Sequence, residues 1–176
     1  MEDFHPLPST GPLTGHELVQ YQLDARRWIE STCALALASR HGNAERIAEA
    51  RRQERGYAAR FSRWERPEAP HAEVARELGL TPMARTLLLL IAAPQVWGEI
   101  AAAYVSCIEG TRPLVDELLL GRLLDANIVL RTTIAYELDH TAPLVASGAV
   151  LIGRGVRPYA SLAARTSIAK RISATR

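Results

Sequence analysis

Residues 81–115, TPMARTLLLLIAAPQVWGEIAAAYVSCIEGTRPLV, decide how the rest of the chain is interpreted. An uninterrupted apolar run occupies 87–93 and stops at Pro94, with Glu99 soon after it. A membrane-spanning helix needs about 20 consecutive apolar residues, so this run is too short to cross a bilayer. A short helix that is apolar on nearly every side belongs inside a protein. We therefore expect a central core helix over 82–93.

The composition indicates an ordinary globular domain rather than a disordered chain. The protein has 176 residues, of which 48% are apolar, 23% charged and only 6% aromatic. Ala and Leu are abundant, and these residues lose least on entering a helix. The N-terminus lacks the basic and apolar regions of a secretory signal, and the two cysteines, Cys33 and Cys107, are isolated. These features predict a mainly α protein of the reducing cytosol.

Two amphipathic helices precede the apolar stretch. Thr14 and Glu17 have the spacing of a capping box, and Gly42 can end the first helix in a left-handed conformation. Asn43 can cap the second helix. The expected helices cover 14–41 and 43–64. Apolar and aromatic residues recur at spacings of three and four on one face of each, which predicts an antiparallel helical hairpin over 14–66.

The remaining chain divides around this hairpin. Residues 1–13 are acidic and rich in proline, and we expect a flexible arm there. The prolines of ERPEAP (65–70) indicate a boundary, after which 71–176 forms a second domain. The helices expected in that domain cover 71–78, 82–93, 95–108, 113–124 and 126–138, with Thr111 capping the fourth of them.

The C-terminal part of the chain changes character. LVASGAVLIG (144–153) is apolar and β-branched, and LAARTSIAKRIS (162–173) is a second strand-like stretch. A turn over 153–158 would join them into a β-hairpin. Helices followed by such a hairpin predict a winged helix-turn-helix-like domain.

Part of this pattern, from Leu78 to Ile172, resembles that of a known family. The matching positions are Thr81, Pro82, Arg85, Leu87 to Leu90, Thr111, Arg112, Pro113, Val115 and the apolar segment Leu144 to Leu151. Through them the chain resembles the N-terminal winged-helix variant domain of bacterial AAA ATPases of the type associated with contractile injection systems. It departs from the family pattern at Met83, Ala84 and Leu114.

The resemblance implies a protein-interaction or regulatory module that precedes an ATPase motor and recruits or positions a partner protein. The residues point to no catalytic role of their own. The chain contains no Gly-x-x-x-x-Gly-Lys-Ser/Thr phosphate loop, and Lys170 is its only lysine. Its histidines are dispersed, without the spacing of a metal site. We expect no enzyme activity, no cofactor, no metal and no membrane span.

One candidate binding surface emerges from the charge distribution. The net charge is only +2, yet the chain beyond Leu151 carries basic residues and no acid. The candidate partner or nucleic-acid surface consists of Arg154, Arg157, Arg165, Lys170 and Arg171. Charge changes at Arg154 or Arg157 are expected to disturb partner binding but not folding.

Two classes of function remain open. A protein partner is the first, with self-association through the helical hairpin as part of it. A DNA-binding winged-helix regulator is the alternative, favoured by the basic hairpin. It is opposed by Asp116 and Glu117 in the helix 113–124, which would be the recognition helix, because acids facing phosphates repel them.

Overall fold

The computed structural model describes residues 12–108 and 114–173. The helices and strands, in chain order, are α1 (Gly15–His41), α2 (Ala44–Phe61), α3 (Pro70–Glu77), α4 (Pro82–Val96), α5 (Gly98–Cys107), α6 (Glu117–Leu123), α7 (Ile128–Glu137), α8 (Pro143–Ala146), β1 (Val150–Ile152), β2 (Leu162–Ala164) and α9 (Thr166–Ser173). The fold is mainly α with a small β-hairpin, as the sequence predicts. Residues 1–11, which hold nearly all of the predicted arm, lie outside the described residues.

The helical hairpin forms as its caps predict. The Thr14 backbone N–H donates to Glu17 Oε2 at 2.9 Å, and the Glu17 N–H donates back to Thr14 Oγ1 at 3.3 Å. Gly42 ends α1 with a φ of 69°, and Asn43 Oδ1 accepts from the Arg46 N–H at 3.0 Å. The second helix is shorter than expected, because a 3-10 turn over Ser62–Trp64 replaces its last α-helical turn.

Pro94 does not end the central helix, contrary to the sequence-based expectation. Proline at this position cannot donate to the Leu90 carbonyl four residues earlier, which would leave a buried acceptor without a partner. The Tyr104 hydroxyl donates to that carbonyl oxygen at 2.9 Å. The helix therefore continues to Val96, and the chain bends by 113° between α4 and α5 at Trp97.

The central position of α4 is confirmed. Every residue from Leu87 to Ala93 is buried, and α4 contacts α1, α3, α5, α7, α9 and β2. Both halves of the chain contribute to this core, since α1 also contacts α5 and α6. Among the described residues no single helix is long and apolar enough to span a membrane; α4 and α5 reach that length and composition only as a bent pair.

An aromatic cluster joins the hairpin to the start of the second half. The ring centroids of Trp28 and Phe61 lie 5.3 Å apart, and those of Tyr21 and His71 lie 5.5 Å apart. The Trp64 indole donates to Asp24 Oδ2 at 3.0 Å, which satisfies a buried carboxylate. Because His71 is buried, its pKa falls from 6.5 to about 3.

The prediction of a long second strand over 162–173 is wrong. Only Leu162–Ala164 pairs with β1, in antiparallel register with Val150 opposite Ala164. The chain then forms α9, which buries Ile168, Ala169 and Ile172 against α4 and α3. Ile172 follows Ile168 by four residues and Ala169 by three, which places these side chains on one side of a helix, whereas they would point to both faces of a strand.

Two further expected elements differ in the structure. The segment 144–153 holds the short helix α8 before β1, instead of one continuous strand. The fourth helix expected over 113–124 begins only at Glu117, and Asp116 caps it by accepting from the Leu119 N–H at 2.8 Å. Thr111 and Pro113, the expected cap and first turn, lie outside the described residues.

Candidate interaction surface

The helices α6 and α7 form a helix-turn-helix pair beside the β-hairpin. Four residues, 124–127, join the two helices, and Asn127 Oδ1 caps α7 by accepting from the Leu130 N–H at 3.0 Å. The Leu162 N–H of β2 donates to the Val115 carbonyl at 2.9 Å, which ties the hairpin to the segment before α6. This order makes α7 the second helix of the pair. In DNA-binding helix-turn-helix proteins the second helix is the one that enters the major groove.

One face of α7 exposes apolar side chains to solvent. Ile128 is 78% exposed, Val129 70% and Tyr136 74%. Thr132 lies between them, since residues four and eight positions apart share one side of a helix. The opposite side of α7 packs into the core through Ile134. Isolated exposed apolar residues are common, but three on one helical face mark a candidate contact surface, here called the α7 face.

Three polar side chains of α7 form hydrogen bonds within the chain. Thr132 Oγ1 donates to the Ile128 carbonyl at 3.0 Å, and Thr133 Oγ1 donates to the Val129 carbonyl at 3.1 Å. Arg131 Nε donates to the Ala126 carbonyl at 3.0 Å. A helix that reads base edges presents Arg, Lys, Asn or Gln to them. The α7 face offers mainly apolar surface instead.

The hairpin loop lies next to α7. Arg157 donates to Glu117 Oε2 from Nε at 3.0 Å and from Nη2 at 2.8 Å, and Nη2 also donates to the Ala135 carbonyl at 2.8 Å. These bonds fasten the loop to both α6 and α7. The neighbouring loop residues Val156 and Tyr159 are also exposed.

The structure places the five basic candidate residues in different surroundings. Arg157 is paired with Glu117, and Arg171 Nη2 lies 2.8 Å from Glu77 Oε1 on α3. Arg154, Arg165 and Lys170 are exposed and have no carboxylate within ion-pair distance among the described residues. The two internal pairs reduce the net positive charge that this surface presents.

The contacts of Arg157 change what its substitution should do. We expect Arg157→Gln to lower the free energy of unfolding by about 1 kcal/mol, because a half-exposed ion pair and a bond to a carbonyl are lost. The matched change Arg154→Gln should stay within about 0.5 kcal/mol, as is usual at exposed positions. Urea unfolding of both variants measures the difference. Equal stabilities would contradict the fastening role of Arg157.

The described parts of the chain contain neither a metal-binding cluster nor a disulfide. Within 12–108 and 114–173, no group of three or more His, Cys, Asp or Glu side chains could hold a metal ion. The cysteines Cys33 and Cys107 are buried and form no disulfide. Comparison with known proteins adds nothing to this description: no protein family, curated protein or solved structure matches the chain.

Reasoning from sequence missed the α7 face. It predicted a helix over 126–138 but assigned the recognition position to 113–124. The signal was present in IVLRTTIAYE, because apolar residues occur on both sides of this helix and one side only can face the core.

Proposed function

We propose that this protein is a non-catalytic protein-interaction module that binds a partner protein through the α7 face. The observation that carries the proposal is the exposure of Ile128, Val129 and Tyr136 on the second helix of a helix-turn-helix pair. Apolar and aromatic side chains dominate the buried centres of protein interfaces. The back-bonded threonine hydroxyls and the pairing of Arg157 support a protein partner over a nucleic acid.

The resemblance to the N-terminal domains of AAA ATPases suggests what such a module does. It would recruit a partner to the motor, or position the motor on its target, in the reducing cytosol of a bacterium. The intact mass of the native protein in its source organism tests this part. A species several times heavier than this chain supports a linked motor, whereas a species of the chain's own mass argues against it.

The contact surface can be tested with a matched pair of valines. Val129 on α7 and Val105 on α5 are both exposed helical positions, so Val129→Asp and Val105→Asp should both fold. A photo-cross-linking amino acid at Tyr136 would identify the partner, whose binding is then measured with purified components. We expect Val129→Asp to weaken that binding by about tenfold or more, as for an interface centre, while Val105→Asp leaves it unchanged. Equal binding by both variants would overturn the proposal.

DNA binding is the second candidate, favoured by the unpaired charges of Arg154, Arg165 and Lys170. Fluorescence anisotropy with duplex DNA distinguishes it. Binding through phosphates weakens steeply between 50 and 200 mM salt, because each neutralised phosphate releases counterions. Such binding, lost in the Arg154→Gln variant, would favour a DNA-binding regulator over a protein-interaction module.

A further inference from the structure

A second feature of the molecule is a cavity of about 290 Å³ on another side of the helix-turn-helix pair. It lies where the C-terminal part of α1 meets the end of α5 and the turn between α6 and α7. Arg40, Arg122, Arg131, Asp125, Cys107 and Leu37 contribute to its lining. The cavity is thus built from both halves of the chain.

Among the described residues, the lining of the cavity holds more guanidinium groups than carboxylates. Arg122 Nη1 donates to the Cys107 carbonyl at 3.1 Å, and Arg131 Nε donates to the Ala126 carbonyl at 3.0 Å. These partners are neutral, so neither guanidinium charge is compensated by a carboxylate among the described residues. Each guanidinium also keeps further N–H donors beyond the bond it makes.

Asp125 is the one carboxylate among the described lining residues, and it is already engaged in an ion pair. Asp125 Oδ2 lies 2.7 Å from Arg51 Nη2 on α2, outside the cavity. Asp125 adopts a left-handed conformation, with a φ of 47°, in the turn between α6 and α7. The ion pair therefore ties the hairpin to this turn without cancelling the charges of Arg122 and Arg131.

The side chain of Arg131 packs over Gly121 in the wall of the cavity. A Cβ atom at Gly121 would lie 3.8 Å from Cγ and Cζ of Arg131, so the arginine side chain packs directly across this glycine. Ala36, Leu37 and Ala126 supply apolar wall. A ligand with a charged group and a short apolar part would match both kinds of lining.

Cys107 reports the electrostatic environment at one side of the cavity. The pKa of its thiol is lowered, first by the hydrogen bond with Cys33 and then by the nearby positive charges of Arg122 and Arg40. The same pairing, with burial, raises the pKa of Cys33. A thiol beside two guanidinium groups is consistent with a site that attracts anions.

We propose that this cavity binds the phosphate group of a small phosphorylated molecule, held by the guanidinium groups of Arg122 and Arg131. The planar N–H fork of arginine matches the oxygens of phosphate and carboxylate groups. A phosphate group carries about −1.5 to −2 charges at pH 7 and so balances two guanidinium groups, which one carboxylate does not. The inference is independent of the α7 face, because none of the exposed apolar residues of that face lines the cavity.

Titration calorimetry with inorganic phosphate tests the proposal on the whole chain. We expect saturable binding to the wild type, and about tenfold or greater weakening in Arg131→Gln, because a charge-assisted bond is lost. Arg131→Lys should bind between the two, since it keeps the charge but loses the fork. Arg55→Gln, at an exposed position of α2 outside the cavity lining, is the matched control and should bind like the wild type. Acetate at equal ionic strength should bind much more weakly than phosphate.

A second variant locates the site. Arg122→Gln should also weaken phosphate binding by about tenfold or more, because Arg122 supplies the other guanidinium group. Absence of phosphate binding would overturn the proposal. So would equal binding by Arg131→Gln, and acetate binding as tight as phosphate would overturn the choice of a phosphate group.

Discussion

Replacing Leu89 by alanine is expected to lower the free energy of unfolding by about 2–5 kcal/mol. Leu89 is 1% exposed and lies in the fully buried stretch of α4, the helix that contacts most other elements. Removing its isobutyl group loses transfer free energy and leaves a cavity that close-packed neighbours fill only in part. Chemical denaturation with urea, followed by circular dichroism, measures the change.

A second leucine-to-alanine change, at an exposed position, is the control for the loss of a leucine side chain outside the core. Leu151 on β1 is 51% exposed, so Leu151→Ala should cost less than about 1 kcal/mol. A Leu89→Ala variant as stable as the wild type would refute the central position of α4.

Lowering the pH from 7.5 to 5 is expected to lower the free energy of unfolding by about 2 kcal/mol through His71 alone. Its pKa is about 3 in the folded protein, because the ring is buried among aromatic rings and lies near Arg85, against 6.5 for the ordinary value. Between these values the unfolded chain binds a proton that the folded protein does not. The stabilisation is therefore complete above the ordinary pKa and is lost progressively as the pH falls towards 3.

The variant His71→Phe isolates this contribution. It keeps a planar ring beside Tyr21 and Phe61 but cannot be protonated, so its stability should fall by about 2 kcal/mol less than the wild type over the same pH interval. Urea unfolding at pH 7.5 and pH 5 gives both values. Glu17, whose pKa is lowered to about 2 by its hydrogen bonds to Arg66 and Thr14, titrates mostly below this interval. Parallel pH dependence of the two proteins would contradict a buried, neutral His71.

Local sequence signals predicted those features that depend on contacts between residues close together in the chain. The capping groups Thr14, Asn43 and Gly42 predicted the limits of the helical hairpin because each acts on backbone groups within a few residues of itself. The apolar run 87–93 predicted a central helix because a helix that is apolar on nearly every side must be buried in the core. The mainly α fold with a small hairpin followed from the same signals.

Tertiary contacts decided the features that depend on distant residues. Pro94 remains inside α4 because the Tyr104 hydroxyl, ten residues away, binds the carbonyl that proline leaves without a partner. The segment 166–173 is a helix because α4 and α3 offer an apolar surface to one side of it. Helix and strand propensities depend only on neighbouring residues in the sequence, so they could predict neither of these two contacts.

The candidate sites divide in the same way. The basic residues near the C-terminus were visible in the sequence, but only the structure showed that Glu117 and Glu77 pair with Arg157 and Arg171. The proposed phosphate site had no sequence signal, since Arg122 and Arg131 belong to α6 and α7 while Leu37 belongs to α1. The sequence by itself determined the helical hairpin, its caps and the core helix, because these depend on periodicity and local hydrogen bonds. The tertiary structure alone decided which charges and apolar faces remain for a partner, because that depends on what the fold brings against them.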